Sequence, residues 1–195
     1  RGVGMELFSY KTGVWPISLE IAGARLSLNQ DGSVQLQVGA TEIGQGADTV
    51  FSQMAAETLH MDISRVHIVT QQDTDVTPFD TGAYASRQSF VTGTAVKECA
   101  QQLKQKILEY ARTLVPGNVD RLELEDGYIL ADGKPAISLE DLAMESYYSL
   151  SNSSVLTAEV SRQVKKNTVA SGCCFAEVEV DMKLGKIKVL DIVNV

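Results

Sequence analysis

The chain has 195 residues, enough to bury a substantial hydrophobic core in one or two domains. Its 17 Lys and Arg against 25 Asp and Glu give a net charge of −8. This acidic balance argues against nucleic-acid coating and membrane-surface binding, which need a basic face. No apolar run reaches the ~18 residues of a membrane-spanning helix. Three cysteines without a C-x-x-C pair, and two isolated histidines, predict no disulfide framework, no metal site and a cytoplasmic location.

The first elements in chain order are a predicted hairpin and a helix. Apolar residues alternate over 18–38 around a polar turn, which predicts two antiparallel strands. From Asp48 to Met61 the apolar spacing becomes helical, with Asp48 or Thr49 as the predicted N-cap.

The rest of the chain alternates between strand and helix patterns. The predicted elements are a strand (65–70), a loop (71–84), a long helix (86–114), a hairpin (122–130), a short helix beginning at Ser138, and a hairpin formed by 174–181 and 186–193. Together they predict an α+β fold, a mixed β-sheet with helices packed on one face, in which residues 18–38 and 172–193 share one sheet.

A glycine-rich corner joins the first hairpin to the first helix. Glycines at 39, 44 and 46 surround Ile43 and Gln45, and the helix opens directly after them. Glycines allow close backbone approach, and a helix N-terminus offers unpaired N–H groups to an anion. Gln45 stands where a P-loop needs Lys, so triphosphate binding is unsupported. Two interpretations stay open: a structural corner, or an anion site contacted by Gln45.

A second corner precedes the long helix. Small residues lead to Ala85, Ser86, Arg87 and Gln88, where the helix begins. A cation at a helix N-terminus is locally unfavourable, so Arg87 fits best with an anion between it and the helix. The alternative is an ordinary Ser86 cap with Arg87 in solvent.

Taken in order, these segments resemble one known family. The stretch Thr41–Gly46, followed by Ser52–Ala55, resembles the molybdopterin-binding subunit of the xanthine dehydrogenase/aldehyde oxidase family of molybdenum hydroxylases. The resemblance continues through Asp73-Thr74, Pro78, Ala85–Gln88, Gly93–Val96 and Phe175–Asp181. It covers roughly 18–97 and 170–195, whereas 115–165 looks like a variable insertion.

The resemblance implies a cofactor and the residues that hold it. These are Ile43, Gly44, Gln45, Gly46, Ala85, Ser86, Arg87 and Gln88, which would bind the phosphate end of molybdopterin in its cytosine dinucleotide or smaller mononucleotide form. Iron–sulfur centres and FAD would belong to partner domains or subunits. The family hydroxylates a purine, another N-heterocycle or an aldehyde with oxygen from water.

The same resemblance implies that residues 1–195 are part of a cofactor-binding domain. The catalytic glutamate would lie beyond Val195, and a further glycine-rich cofactor segment before Arg1, so the isolated chain is predicted to be inactive. Its partners would be the rest of the subunit, the iron–sulfur and flavin parts, and a small-molecule substrate, which Trp15 would contact. The alternative functions are a non-catalytic nucleotide- or phosphate-binding module and a plain interaction module.

Overall fold

The computed structural model describes residues 1–195. The strands are β1 (Gly2–Thr12), β2 (Ile21–Leu28), β3 (Val34–Val38), β4 (Val66–Ile68), β5 (Leu122–Glu125), β6 (Tyr128–Ala131), β7 (Lys134–Ser138), β8 (Thr157–Gln163), β9 (Thr168–Asp181) and β10 (Lys186–Asn194). The helices are α1 (Ala47–Leu59), α2 (Gln88–Leu114) and α3 (Leu139–Tyr148), with a 3-10 turn at Ile63–Arg65. None of the helices combines the length and the hydrophobicity needed to cross a membrane.

The central sheet has the strand order β4-β3-β2-β8. Strands β2 and β3 form the predicted hairpin, with Leu26 opposite Leu36. β4 runs parallel to β3, and β8 runs antiparallel to β2. The sheet is therefore mixed, as the sequence predicts.

Helices α1 and α2 pack on this sheet, and their apolar side chains share one core of 34 buried residues with it. Cys99 of α2 marks the contact, because its thiol donates to the carbonyls of Ala24 in β2 and Ala158 in β8, at 3.4 and 3.2 Å. Burial raises the pKa of this thiol to about 11, so it stays protonated and serves packing. The α+β class with helices on the sheet is confirmed.

The C-terminal hairpin is confirmed, but its expected place in the central sheet is wrong. β9 pairs with β10 on one edge and with β1 on the other, from Gly2 opposite Val178 to Thr12 opposite Thr168. β9 is therefore the central strand of a three-stranded sheet, β1-β9-β10, which shares no strand with the central sheet.

Residues 115–165 contribute strands to two of the three sheets. The predicted hairpin extends to a third strand, giving the sheet β5-β6-β7. Ser138 caps α3 as predicted, since its hydroxyl accepts a hydrogen bond from the Asp141 N–H at 3.0 Å. β8, which the sequence did not predict, is an edge strand of the central sheet. Variation of residues 115–165 among relatives stays a prediction.

Candidate functional site

The two predicted corners meet at one cavity of about 500 Å³ between the N-terminal ends of α1 and α2. Six of the eight predicted cofactor-binding residues line it: Ile43, Gln45, Ala85, Ser86, Arg87 and Gln88. Gly44 and Gly46 belong to the same turn, and Tyr10 of β1 and Tyr84 add aromatic surface. Segments about forty residues apart in sequence therefore form one site, which helical and strand periodicity alone could not predict.

A direct side-chain bond joins the corners. The Gln45 amide nitrogen donates to Gln88 Oε1 at 2.6 Å and to the Thr41 carbonyl at 3.1 Å. Gln45 Oε1 accepts the Ile43 N–H at 2.6 Å. Both amide hydrogens of Gln45 thus have acceptors in the chain, whereas Gln88 uses one hydrogen, to Thr41. Gln45 fixes Gln88, and a direct contact between Gln45 and a ligand stays a prediction.

The N-terminus of α1 holds a carboxylate of this chain. Glu42 accepts hydrogen bonds from the N–H groups of Asp48 and Gly46, both at 3.1 Å, and of Gly44 at 2.7 Å. These bonds hold the pKa of the Glu42 carboxyl below its ordinary value. The predicted caps Asp48 and Thr49 are wrong, because the N-cap is Gly46, at φ 81°, and Glu42 supplies the acceptor. A carboxylate of the chain itself therefore caps this helix start, and binding of a ligand anion at the 44–46 turn stays a prediction.

The N-terminus of α2 is different. The N–H groups of Gln88 and Ser89 have no acceptor in the chain, and both residues line the cavity. Ser86 is not the predicted cap, since the N-cap is Arg87 and no side chain caps the helix. Ala85 and Ser86 instead occupy the left-handed region, at φ 48° and 52°. Such a conformation costs a non-glycine residue about 1–3 kcal/mol and is found most often at functional sites.

The structure shows neither of the two environments predicted for Arg87. Its guanidinium is fully buried, not in solvent, and pairs with Glu20 and Asp80, not with an external anion. Burial alone would lower the pKa of Arg87, but the bonds to Glu20 and Asp80 outweigh it and raise that pKa. Neither partner could be predicted, because Glu20 lies far from Arg87 along the chain and Asp80, seven residues before it, lies in a loop without periodicity.

Trp15 is half-buried and lies outside the cavity lining. Its carbonyl accepts a hydrogen bond from the Asn167 side chain. The neighbouring Val14 N–H donates to Glu20 Oε1 at 2.6 Å, so this turn contacts the Arg87 ion pairs. A substrate contact by Trp15 stays a prediction.

The residues at the cavity fit the phosphate end of a nucleotide-like cofactor. A side chain added at Gly44 or Gly46 would meet no atom within 4 Å, so their backbone is open to close approach. Unpaired N–H groups at the start of α2, the exposed Ser86 hydroxyl and the second amide hydrogen of Gln88 can donate to phosphate oxygens. No Asp or Glu side chain lines the cavity.

Comparison with known proteins points to one cofactor-binding family. The family model for the molybdopterin cofactor-binding domain matches residues 1–195. The putative xanthine dehydrogenase molybdenum-binding subunit of Escherichia coli is 48% identical over the whole chain, which spans 26% of that relative. A subunit of the 6-hydroxypseudooxynicotine dehydrogenase complex of Paenarthrobacter nicotinovorans is 30% identical over 73% of the chain and 17% of its own length.

Solved structures show the same fold. Quinoline 2-oxidoreductase of Pseudomonas putida superposes with a TM-score of 0.83 at 22% identity, over 99% of this chain and 26% of that one. CO dehydrogenase of Oligotropha carboxidovorans superposes with a TM-score of 0.84 at 23% identity, over 99% of this chain and 25% of that one. The chain spans about a quarter of the length of these proteins. The match of the family model from the first residue to the last shows that the chain belongs to the molybdopterin cofactor-binding domain family.

Proposed function

We propose that this chain is the part of a xanthine dehydrogenase-like molybdenum hydroxylase that binds the phosphate end of the molybdopterin cofactor. The observation that carries the proposal is the single cavity made by the 43–46 and 85–88 segments, joined by the Gln45–Gln88 bond. When bound, the cofactor supplies the molybdenum that exchanges electrons and oxygen with the substrate.

In this proposal some residues bind the phosphates directly and others hold the binding residues in place. The N–H groups of Gln88 and Ser89, aided by the positive end of the α2 dipole, donate to the phosphate oxygens, and the Ser86 hydroxyl adds a donor. Gln45 orients the Gln88 amide toward the same oxygens. Glu42 keeps the 44–46 turn in its open shape, without binding the ligand itself.

The finer identity of cofactor and substrate is part of the proposal. We propose the cytosine dinucleotide form, with iron–sulfur and FAD groups on partner domains or subunits in the cytoplasm. The substrate is a purine, another N-heterocycle or an aldehyde. Purines are favoured because relatives from Escherichia coli carry the names xanthine dehydrogenase and probable hypoxanthine oxidase.

The catalytic glutamate lies outside residues 1–195 in this proposal. The cavity is lined by no Asp or Glu. The nearby carboxylate Glu42 is bonded to three backbone N–H groups, which hold its pKa low and make it a poor base near neutral pH.

A pair of Ser86 variants of the full-length subunit tests the proposal. Asp and Asn both tolerate the left-handed backbone at this position, so Ser86→Asp and Ser86→Asn differ mainly in charge. We expect Ser86→Asp to reduce molybdenum per purified subunit at least tenfold, because its carboxylate repels phosphate oxygens. Ser86→Asn should stay within about twofold of the wild type.

The measurement is metal analysis of the purified complex, together with nucleotide released by acid hydrolysis. Cytidine monophosphate in amounts equal to molybdenum supports the dinucleotide form, and its absence refutes that form. Equal molybdenum content in the Asp and Asn variants would place the phosphates elsewhere.

A further inference from the structure

The Arg87 side chain is enclosed by acceptors of this chain. Its Nε donates to Glu20 Oε2 at 2.6 Å, and its Nη2 donates to the Ile21 carbonyl at 2.7 Å. Its Nη1 bonds to Asp80 Oδ1 and to the Gly82 carbonyl, the latter at 3.0 Å. Because the guanidinium is fully buried and bonded on three nitrogens, it does not donate to a ligand in this arrangement.

The two carboxylates extend these bonds to other segments. Glu20 Oε1 accepts the Val14 N–H at 2.6 Å, which ties in the β1–β2 turn. Asp80 Oδ1 accepts the Gly82 N–H at 2.9 Å, and Asp80 Oδ2 accepts the Thr92 hydroxyl at 2.7 Å, on the second turn of α2. We call Arg87, Glu20 and Asp80 the Arg87 network.

The Arg87 network holds both ends of the strained turn at the cavity. Asp80 and the Gly82 carbonyl lie before the left-handed pair Ala85–Ser86, and Arg87 follows it directly. The Ala85 carbonyl is fixed separately by the Gly13 N–H, at 2.8 Å. A left-handed pair without glycine persists only where its surroundings impose it, and these bonds impose it here.

Stability alone does not account for a buried charged cluster. Buried ion pairs give little net stability compared with apolar side chains of the same volume, because the charges must be desolvated. The bonds of this cluster instead fix the geometry of the segment 82–88, of which residues 83–88 line the cavity.

We infer that Arg87, Glu20 and Asp80 are positioning residues for cofactor binding, which hold the Ala85–Ser86 turn and the start of α2 in the geometry that receives the phosphates. The inference rests on the proposed function. In this inference the charge of Arg87 maintains the shape of the site, and the residues on either side of Arg87 contact the ligand.

Conservative variants of the full-length subunit test the inference. Glu20→Gln keeps the shape of the side chain but removes its charge, and Thr92→Val removes the hydroxyl partner of Asp80 with little change in volume. Leu103→Ala is the matched control, because Leu103 is fully buried in α2 and lies outside the cavity and the Arg87 network. For each variant, thermal midpoint and molybdenum per folded subunit are measured after gel filtration.

We expect Glu20→Gln to carry at least fivefold less molybdenum than the wild type, and Thr92→Val about twofold less. The molybdenum content of Leu103→Ala should stay within twofold of that of the wild type, even if its thermal midpoint falls as far as those of Glu20→Gln and Thr92→Val.

If Leu103→Ala loses molybdenum in proportion to its stability, the effect is structural and the inference is overturned. If Ser86→Asp loses molybdenum while Glu20→Gln and Thr92→Val keep it, the inference is wrong and the proposed function stands. If Ser86→Asp also keeps it, the proposed function fails.

Discussion

At the scale of single residues, the starts of α1 and α2 have similar sequence features but different hydrogen-bond acceptors. Both corners predict an anion next to unpaired N–H groups. At α1 the anion is Glu42, four residues before the N-cap Gly46. At α2 the N–H groups of Gln88 and Ser89 stay open to the cavity. The open N–H groups at α2 are therefore the ones to which we assign the ligand phosphate in our proposal.

The Glu42 cap makes a prediction about pH. Because the pKa of Glu42 lies below its ordinary value of 4.5 in the folded chain, its bonds stabilise the fold fully above pH 4.5. This contribution is lost as the pH falls through the lower, folded-state pKa. Glu42→Gln should therefore lower the thermal midpoint at pH 7, and the difference from the wild type should shrink as the pH drops below 4.5.

Thermal unfolding followed by circular dichroism across this pH range measures the effect. Glu57→Gln is the control, since Glu57 is an exposed residue of the same helix whose side chain makes no hydrogen bond. A difference between Glu42→Gln and the wild type that stays constant with pH would contradict the role of Glu42 as a cap.

At the scale of elements, periodicity predicted most of the fold. The 18–38 hairpin, both long helices, the 122–130 hairpin and the C-terminal hairpin all lie where apolar spacing indicates. The predicted helix starts were less accurate. Sequence rules for capping rely on a side chain that accepts a hydrogen bond at the N-cap, whereas the N-caps Gly46 and Arg87 make no such bond. β8 was missed because its short, largely polar sequence derives its stability from pairing with β2.

The candidate site was predictable only in part. The resemblance to a known family selected residues 43–46 and 85–88, and the cavity brings them together. The ion pairs of Arg87 with Glu20 and Asp80 could not be predicted, because pairing of residues from separate elements depends on tertiary packing that has no local pattern.

Gly39 connects the central sheet to the Arg87 network. A side chain added there would lie 2.1 Å from the Pro78 carbonyl oxygen and 2.8 Å from the Asp80 nitrogen, both backbone atoms that cannot rotate away. Gly39→Ala must therefore displace Asp80, and we expect a loss of about 1–3 kcal/mol of unfolding free energy from overpacking. Molybdenum per full-length subunit should fall as well.

Gly4→Ala is the matched control, since an added side chain there meets nothing within 4 Å. Denaturant unfolding of the isolated chain, at concentrations where it is monomeric, gives the free energy of unfolding, and metal analysis of the full-length subunit gives the cofactor content. Equal stability of the two variants would show that the 78–80 segment shifts without cost.

At the scale of the whole molecule, the β1-β9-β10 sheet exposes apolar side chains. One row crosses all three strands, with Met5 opposite Phe175 and Phe175 opposite Val193, and these side chains are 60%, 37% and 48% exposed. Contiguous exposed apolar surface of this kind favours association. We expect the isolated chain to self-associate with rising concentration and to contain no molybdenum.

Sedimentation velocity over a range of concentrations measures this association. Met5→Lys with Val193→Lys should shift the chain toward monomer, while Lys substitutions at exposed polar residues such as Ser151 should not. A wild-type chain that stays monomeric at high concentration, or that binds stoichiometric molybdenum alone, would contradict the expectation.

The pairing of β1 with β9 also has a consequence for synthesis on the ribosome. Thr12 lies opposite Thr168, so 156 residues must be added after β1 before its nearest partner exists. At roughly 5–20 residues per second, that delay lasts on the order of 10–30 s. For this interval Val3, Met5 and Leu7 of β1 lack their partner strand β9. Among the strands of this chain, β1 therefore waits longest for its partner during synthesis.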